Sequence, residues 1–153
     1  MRVYRVFQRK HAATAFSGEG ARRYGGRWNS VGRAVVYTSA TFSLALLELM
    51  VNTSSARIPP DMVYAPIDIP DDVFPEVLHI GQLPKNWFDF PAPPACHAAG
   101  DSWLQRGATV ALVVPSAVAR IESNVLLNPA HPDFAHLIVG DFEAVAIDNR
   151  LKR

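Results

Sequence analysis

The sequence predicts an α+β fold in a single strand-rich domain spanning residues 1–153. Three observations point there. Short runs rich in β-branched residues recur along the chain, whereas one apolar stretch, Phe42–Val51, has helical length. No regular strand–helix–strand alternation marks a parallel α/β sheet. At 153 residues with 49% hydrophobic content, the chain has enough apolar surface for one core.

Taken in order, Val3–Phe7 reads as the opening strand. Residues 8–33 are polar, glycine-rich and aperiodic, and read as a long loop of the kind that carries function. Arg33–Thr38 reads as a strand through Val35, Val36 and Tyr37. Ser39 or Thr41 is placed to cap the next helix, which runs to about Asn52. That helix is apolar on all sides of its one charge, Glu48, which predicts a buried helix. Pro59-Pro60 breaks the chain, and Met62–Ile69 reads as a strand. Residues 70–100 read as a proline-rich irregular excursion, with a short strand near Val77–Ile80 and a turn around Leu83–Trp87. Asp101–Arg106 reads as a short helix and Thr109–Val114 as a strong strand ended by Pro115. Residues 121–133 read as a second loop, with closing strands at Leu137–Val139 and Glu143–Ile147.

Bulk properties exclude several functions. A net charge of +1 supplies no broad field for nucleic acid, and no aromatic-basic stripe appears. The single cysteine, Cys96, excludes an internal disulfide and a cysteine-based zinc site. His131 and His136 lie five apart around Pro132, which is not the helical two-histidine zinc spacing, so no metal is expected. There is no leader-like apolar segment at Met1–Phe7 and no run long enough to span a bilayer. The expectation is a cytoplasmic protein that binds neither membrane nor nucleic acid.

The segment Phe16–Asn29 holds the most chemistry, with four glycines and three arginines in fourteen residues. Glycines permit close backbone approach, Arg27 offers a planar fork for phosphate or carboxylate, and Tyr24 and Trp28 offer stacking faces. Arg27 reads either as an anion clamp or as a structural arginine bonding loop carbonyls. Glu48 reads either as a functional carboxylate or as an edge residue that reaches water or a structural arginine, because burying it unpaired costs several kcal/mol. Arg5 shares a strand face with Val3 and Phe7. It reads either as an arginine partnered by a ligand or by Glu48, or as an edge-strand arginine in water. Tyr37 is placed to stack on a ring or to pack in the core. Ser116 follows a strand but lacks a nucleophile elbow, so a hydrogen-bonding role suits it better.

These residues fall in ordered blocks: Tyr4-Arg5, Ser17–Ala21, Gly25-Gly-Arg-Trp-Asn29, Val36-Tyr37, Leu44–Glu48, Gly100–Trp103, Val114–Ala117, Asn124–Pro132 and Asp148–Leu151. In these blocks the chain resembles the RES-domain toxins of bacterial RES–Xre toxin–antitoxin pairs. The resemblance implies a fold similar to ADP-ribosyltransferase toxins, with NAD⁺ as substrate and no bound cofactor. It implies cleavage of the nicotinamide–ribose bond by hydrolysis or phosphorolysis, or alternatively transfer of ADP-ribose to a protein. It also implies an Xre-like antitoxin partner with a toxin-binding domain. Carried onto this sequence, the family's Arg, Glu and Ser fall on Arg27, Glu48 and Ser116 as catalytic residues. Arg5, Tyr37, Asn29 and Asn124 are the implied NAD⁺-binding residues. A different class, a non-catalytic nucleotide-binding or interaction module, is disfavoured by the intact Arg–Glu–Ser set. A ribonuclease would want an acid–base pair and a basic track that this chain lacks.

Overall fold

In the computed structural model, residues 1–53, 58–148 and 150 are described. The chain opens with strand β1 (Arg2–Gln8), a 3₁₀ turn at Arg9–Thr14 and helix α1 (Glu19–Tyr24). Strand β2 (Val36–Ser39), helix α2 (Phe42–Asn52) and strand β3 (Met62–Asp68) follow. Next come β4 (Glu76–Val77), α3 (Pro94–Arg106), β5 (Ala111–Pro115) and β6 (Ser123–Leu127). The short strands β7 (Ile138–Val139) and β8 (Glu143–Ala144) close the fold. The strands form one eight-stranded sheet in the order β4-β5-β6-β2-β1-β3-β7, with β8 also on β3. Only β4 and β5 pair in parallel; the other pairs are antiparallel. This is the α+β, strand-rich class expected.

Each face of the sheet buries its own core. Val3, Val36, Ile67, Val125 and Leu127 fill one side. Trp28, Trp87, Trp103, Leu112 and Leu126 fill the other. Directly paired residues share a face, so Tyr4, Ser39, Asn124 and Val114, which pair in series across four strands, stand in one row. Helix α2 packs over β1 and β2 on that side.

The structure alters several sequence expectations. The supposed loop 8–33 contains a 3₁₀ turn and α1. The excursion 70–100 ends early, because α3 begins at Pro94, seven residues before the expected start. Proline at a first helical position supplies a preset φ and loses no hydrogen bond. The supposed loop 121–133 contains β6, an interior strand of the sheet. Asn124 through Leu127 are all buried, so no alternation of polar and apolar residues announces this strand. Helix α2 begins after Thr41, whose hydroxyl accepts from the Leu44 amide, but it is not buried all round. Leu44 and Ala45 are buried, while Leu47 is 38% and Val51 60% exposed, because α2 rests on the sheet with one face only.

Gly100 lies inside α3, where glycine ordinarily weakens a helix. An added Cβ there would overlap the carbonyl oxygen of Trp28, so the helix seats directly on that backbone. Gly100→Ala is expected to cost about 3 kcal/mol. A wild-type denaturation midpoint for this variant would contradict that packing role.

Candidate active site

Strands β1 and β2 share a single paired position, Tyr4 opposite Ser39. Below α2 this part of the sheet opens into a cleft of about 180 Å³, lined by Tyr4, Arg5, Tyr37, Ser39, Glu48 and Asn124 among others. Four of the residues singled out by sequence, namely Arg5, Tyr37, Glu48 and Asn124, therefore meet in one place.

Glu48 projects from α2 toward the sheet. Its Oε1 accepts the Ser116 hydroxyl at 2.8 Å and the Asn124 amide at 2.6 Å. Both bonds fall on one oxygen, and Oε2 accepts none among the described residues. A carboxylate held this way has a fixed orientation and one oxygen available to a ligand.

Ser116 is fully buried. Its Oγ accepts the amides of Val118 at 3.1 Å and Ala119 at 3.0 Å while giving its proton to Glu48. The hydroxyl has one donor and two acceptor positions, so it is saturated. Ser116 thus anchors Glu48, which is a hydrogen-bonding role as expected, and no capacity remains for a further partner.

Arg5 is half-buried and donates from Nη1 to the Tyr37 carbonyl at 2.7 Å. Its buried Nε has no partner among the described residues. Burial pushes the guanidinium down to about 10, and no nearby acid offsets the fall. Glu48 is therefore not its ion-pair partner, and because β1 lies between β2 and β3, Arg5 is not an edge-strand arginine either. Arg5 remains a cation at neutral pH.

Tyr37 lines the cleft, but its hydroxyl is turned away from it. The hydroxyl donates to Asn29 Oδ1 at 2.7 Å and accepts the Trp28 amide at 3.0 Å. Burial holds the phenol well above its ordinary range, so it stays protonated and serves neither as acid nor base near neutrality. Gly26 permits this arrangement, because a Cβ there would lie 2.5 Å from the Tyr37 hydroxyl.

The glycine–arginine segment does not form the ligand cradle that its composition suggests. Asn29 is fully buried, and its amide nitrogen reaches the carbonyls of Ala21, Ser30 and Arg33 at 2.9–3.1 Å. All its polar atoms serve the loop, so it supports Tyr37 instead of meeting a ligand. Trp28 is buried and stacks on Trp87 with ring centroids 6.4 Å apart. Arg27 donates to the carbonyls of Trp87 at 2.6 Å and Asp89 at 2.9 Å. It is absent from the cleft lining. Of the two roles open for Arg27, the geometry gives the structural one, and the arginine at the cleft is Arg5. Of the aromatics near residue 87, Trp87 packs inside while Phe90 is 92% exposed.

Ser39 was anticipated only as a helix cap, a role that Thr41 fills. It is buried, lines the cleft and donates to Asn124 Oδ1 at 2.7 Å. Its signal in the sequence is a small hydroxyl side chain at the last position of the strand. Among the described residues, no group of three or more His, Cys, Asp or Glu could hold a metal ion. No helix among them is long and apolar enough to cross a membrane.

The model of the RES domain matches residues 2–148. This chain belongs to the RES domain family. A Photorhabdus laumondii subsp. laumondii protein named Toxin Res is 38% identical over 99% of this chain and 97% of its own length. A Sphingobium sp. (strain YBL2) protein named Prs ADP-ribosylating toxin is 41% identical, covering 82% of this chain and 79% of its own. A chain from the crystal structure of the M. tuberculosis MbcT–MbcA toxin–antitoxin complex superposes with a TM-score of 0.74 at 19% identity. That match covers 95% of this chain and 84% of the other, and shows a shared fold. Within the RES family, then, the arrangement to be explained in this chain is a carboxylate and an arginine that line one cleft and form no ion pair with each other.

Proposed function

We propose that this RES-family chain is the toxin of a toxin–antitoxin pair and that its cleft cleaves NAD⁺ at the nicotinamide–ribose bond. The observation that carries this reading is the separation of charges. Arg5 and Glu48 line one cleft without neutralising each other, and among the described residues Glu48 Oε2 accepts no hydrogen bond. NAD⁺ brings complementary charges, an anionic pyrophosphate for Arg5 and a cationic nicotinamide riboside for Glu48. The names of the curated relatives support the toxin assignment, and the implied resemblance to ADP-ribosyltransferase toxins supports the substrate.

In this reading the glycosidic C–N bond breaks with both electrons passing to the nicotinamide nitrogen. Nicotinamide leaves as a neutral molecule and needs no general acid. The ribosyl carbon develops oxocarbenium character, which a preorganised carboxylate stabilises. Glu48 supplies that charge through Oε2, or grips a ribose hydroxyl, while Ser116 and Asn124 hold it still. Tyr37 lines the cleft beside them. Attack by water yields ADP-ribose and a proton, whereas attack by phosphate yields phosphorylated ADP-ribose.

The second reading is transfer of ADP-ribose to a protein side chain, favoured by the name of the Sphingobium relative. The two are separated by mass analysis of products formed from NAD⁺ with and without phosphate, and with cell lysate. Free ADP-ribose or its phosphorylated form is expected. Labelled protein, with no free product, would favour transfer. The partner in this proposal is an antitoxin protein of the Xre-like kind, acting in the cytoplasm. The exposed Leu47 and Val51 of α2 offer it apolar surface on the helix that walls the cleft.

A further inference from the structure

A chain of buried hydrogen bonds runs behind Glu48. Ser39 and Asn124 are direct partners on β2 and β6, and both are buried. Ser39 Oγ lies 2.7 Å from Asn124 Oδ1, and Asn124 Nδ2 lies 2.6 Å from Glu48 Oε1. The directions in this chain follow from chemistry. An ionised carboxylate only accepts, so Asn124 must turn its NH₂ toward Glu48. Its carbonyl oxygen then faces Ser39, whose hydroxyl must donate. No other hydrogen bond to the Ser39 side chain occurs among the described residues.

An asparagine amide is nearly symmetric in shape, and a half-turn exchanges its donor for its acceptor. The turned form would aim Oδ1 at the carboxylate, replacing attraction with repulsion. Ser39 opposes that turn because its hydroxyl holds Oδ1 on the far side. Ser116 approaches Glu48 from the other direction and has no such ambiguity, since its oxygen is fixed by two backbone amides.

We propose that Ser39 is a positioning residue that fixes the amide orientation of Asn124 and, through it, the aim of Glu48. The kinetic consequence rests on the NAD⁺-cleaving reading above; the orientation itself does not. Ser39 touches neither the carboxylate nor the reacting bond in this scheme, so its loss should act on turnover more than on binding.

The test combines kinetics with an activity-independent signal. Ser39→Ala is expected to lower kcat for nicotinamide release about 10-fold. KM should stay within about twofold, and Ser39→Thr should restore turnover. In an Asn124→Ala background, Ser39→Ala should cost nothing further, because the pathway it serves is gone. The side-chain amide resonances of Asn124, identified by their loss in Asn124→Ala, should shift and broaden in Ser39→Ala and recover in Ser39→Thr. If alanine leaves a void that unfolds the chain, Ser39→Cys keeps the volume with a weaker donor and should show the same changes in smaller measure. Unchanged Asn124 resonances, or an equal kcat loss with and without Asn124, would overturn the proposal. A wild-type protein that releases no nicotinamide would defeat the NAD⁺ reading instead, and the Asn124 resonances would still decide the role of Ser39.

Discussion

Glu48→Gln is expected to fold like the wild type and to lose nicotinamide release by about 10²–10³-fold. Glutamine keeps an oxygen for the Ser116 hydroxyl and the Asn124 amide, which both bond Oε1. What it removes is the negative charge that the proposed reaction sets against the ribosyl carbon. Glu48→Ala is a less clean variant. It strands both donors and should lower stability by about 1–3 kcal/mol in addition to abolishing turnover. Thermal melting alongside the activity assay separates the two effects. Substantial turnover by a folded Glu48→Gln protein would remove Glu48 from the chemistry.

The second large effect concerns the two arginines. Arg5→Met is expected to lose at least about 100-fold in kcat/KM while melting at or above the wild-type temperature. Burial holds the Arg5 guanidinium down to about 10, so keeping it charged is a penalty on the native state at neutral pH. The folded value is below the unfolded one, and the group is a base. The unfolded chain therefore binds more protons between about 10 and the ordinary arginine range, and stability rises with pH across that window. Arg5→Met should abolish that rise. Arg27→Lys should behave oppositely, with stability lower by about 1 kcal/mol as one of two carbonyl contacts is lost, and with turnover close to wild type. Loss of turnover in Arg27→Lys with Arg5→Met still active would return the anion clamp to Arg27.

Much of the fold was legible because it rests on local patterns. Strands β1, β2, β3 and β5 announced themselves by β-branched runs, and α2 by its length and the Thr41 cap. Strand β6 was not legible, since a strand buried on both faces carries no alternation, and Pro129 just beyond it suggested a loop. The start of α3 was hidden by Pro93-Pro94 and Gly100, residues whose local preferences oppose a helix but whose places are set by a first-turn position and by contact with Trp28. Glu48 was legible as an isolated charge on an apolar helix. The choice between Arg5 and Arg27 was not, because composition cannot tell a glycine–arginine loop that cradles a ligand from one that knots itself through Asn29 and Tyr37. Ser39 was legible only as a cap for a related reason: the role proposed for it depends on a cross-strand register that joins residues 85 positions apart.

The central claim is that this cleft breaks the nicotinamide–ribose bond of NAD⁺. Its most direct test is nicotinamide release by purified wild-type protein, run beside Glu48→Gln in buffer containing phosphate and cell lysate, so that water, phosphate and protein acceptors are all present. Nicotinamide formed by the wild type and not by the folded variant is the result expected. NAD⁺ left intact by the wild type in that mixture, or consumed equally by both proteins, would contradict the account.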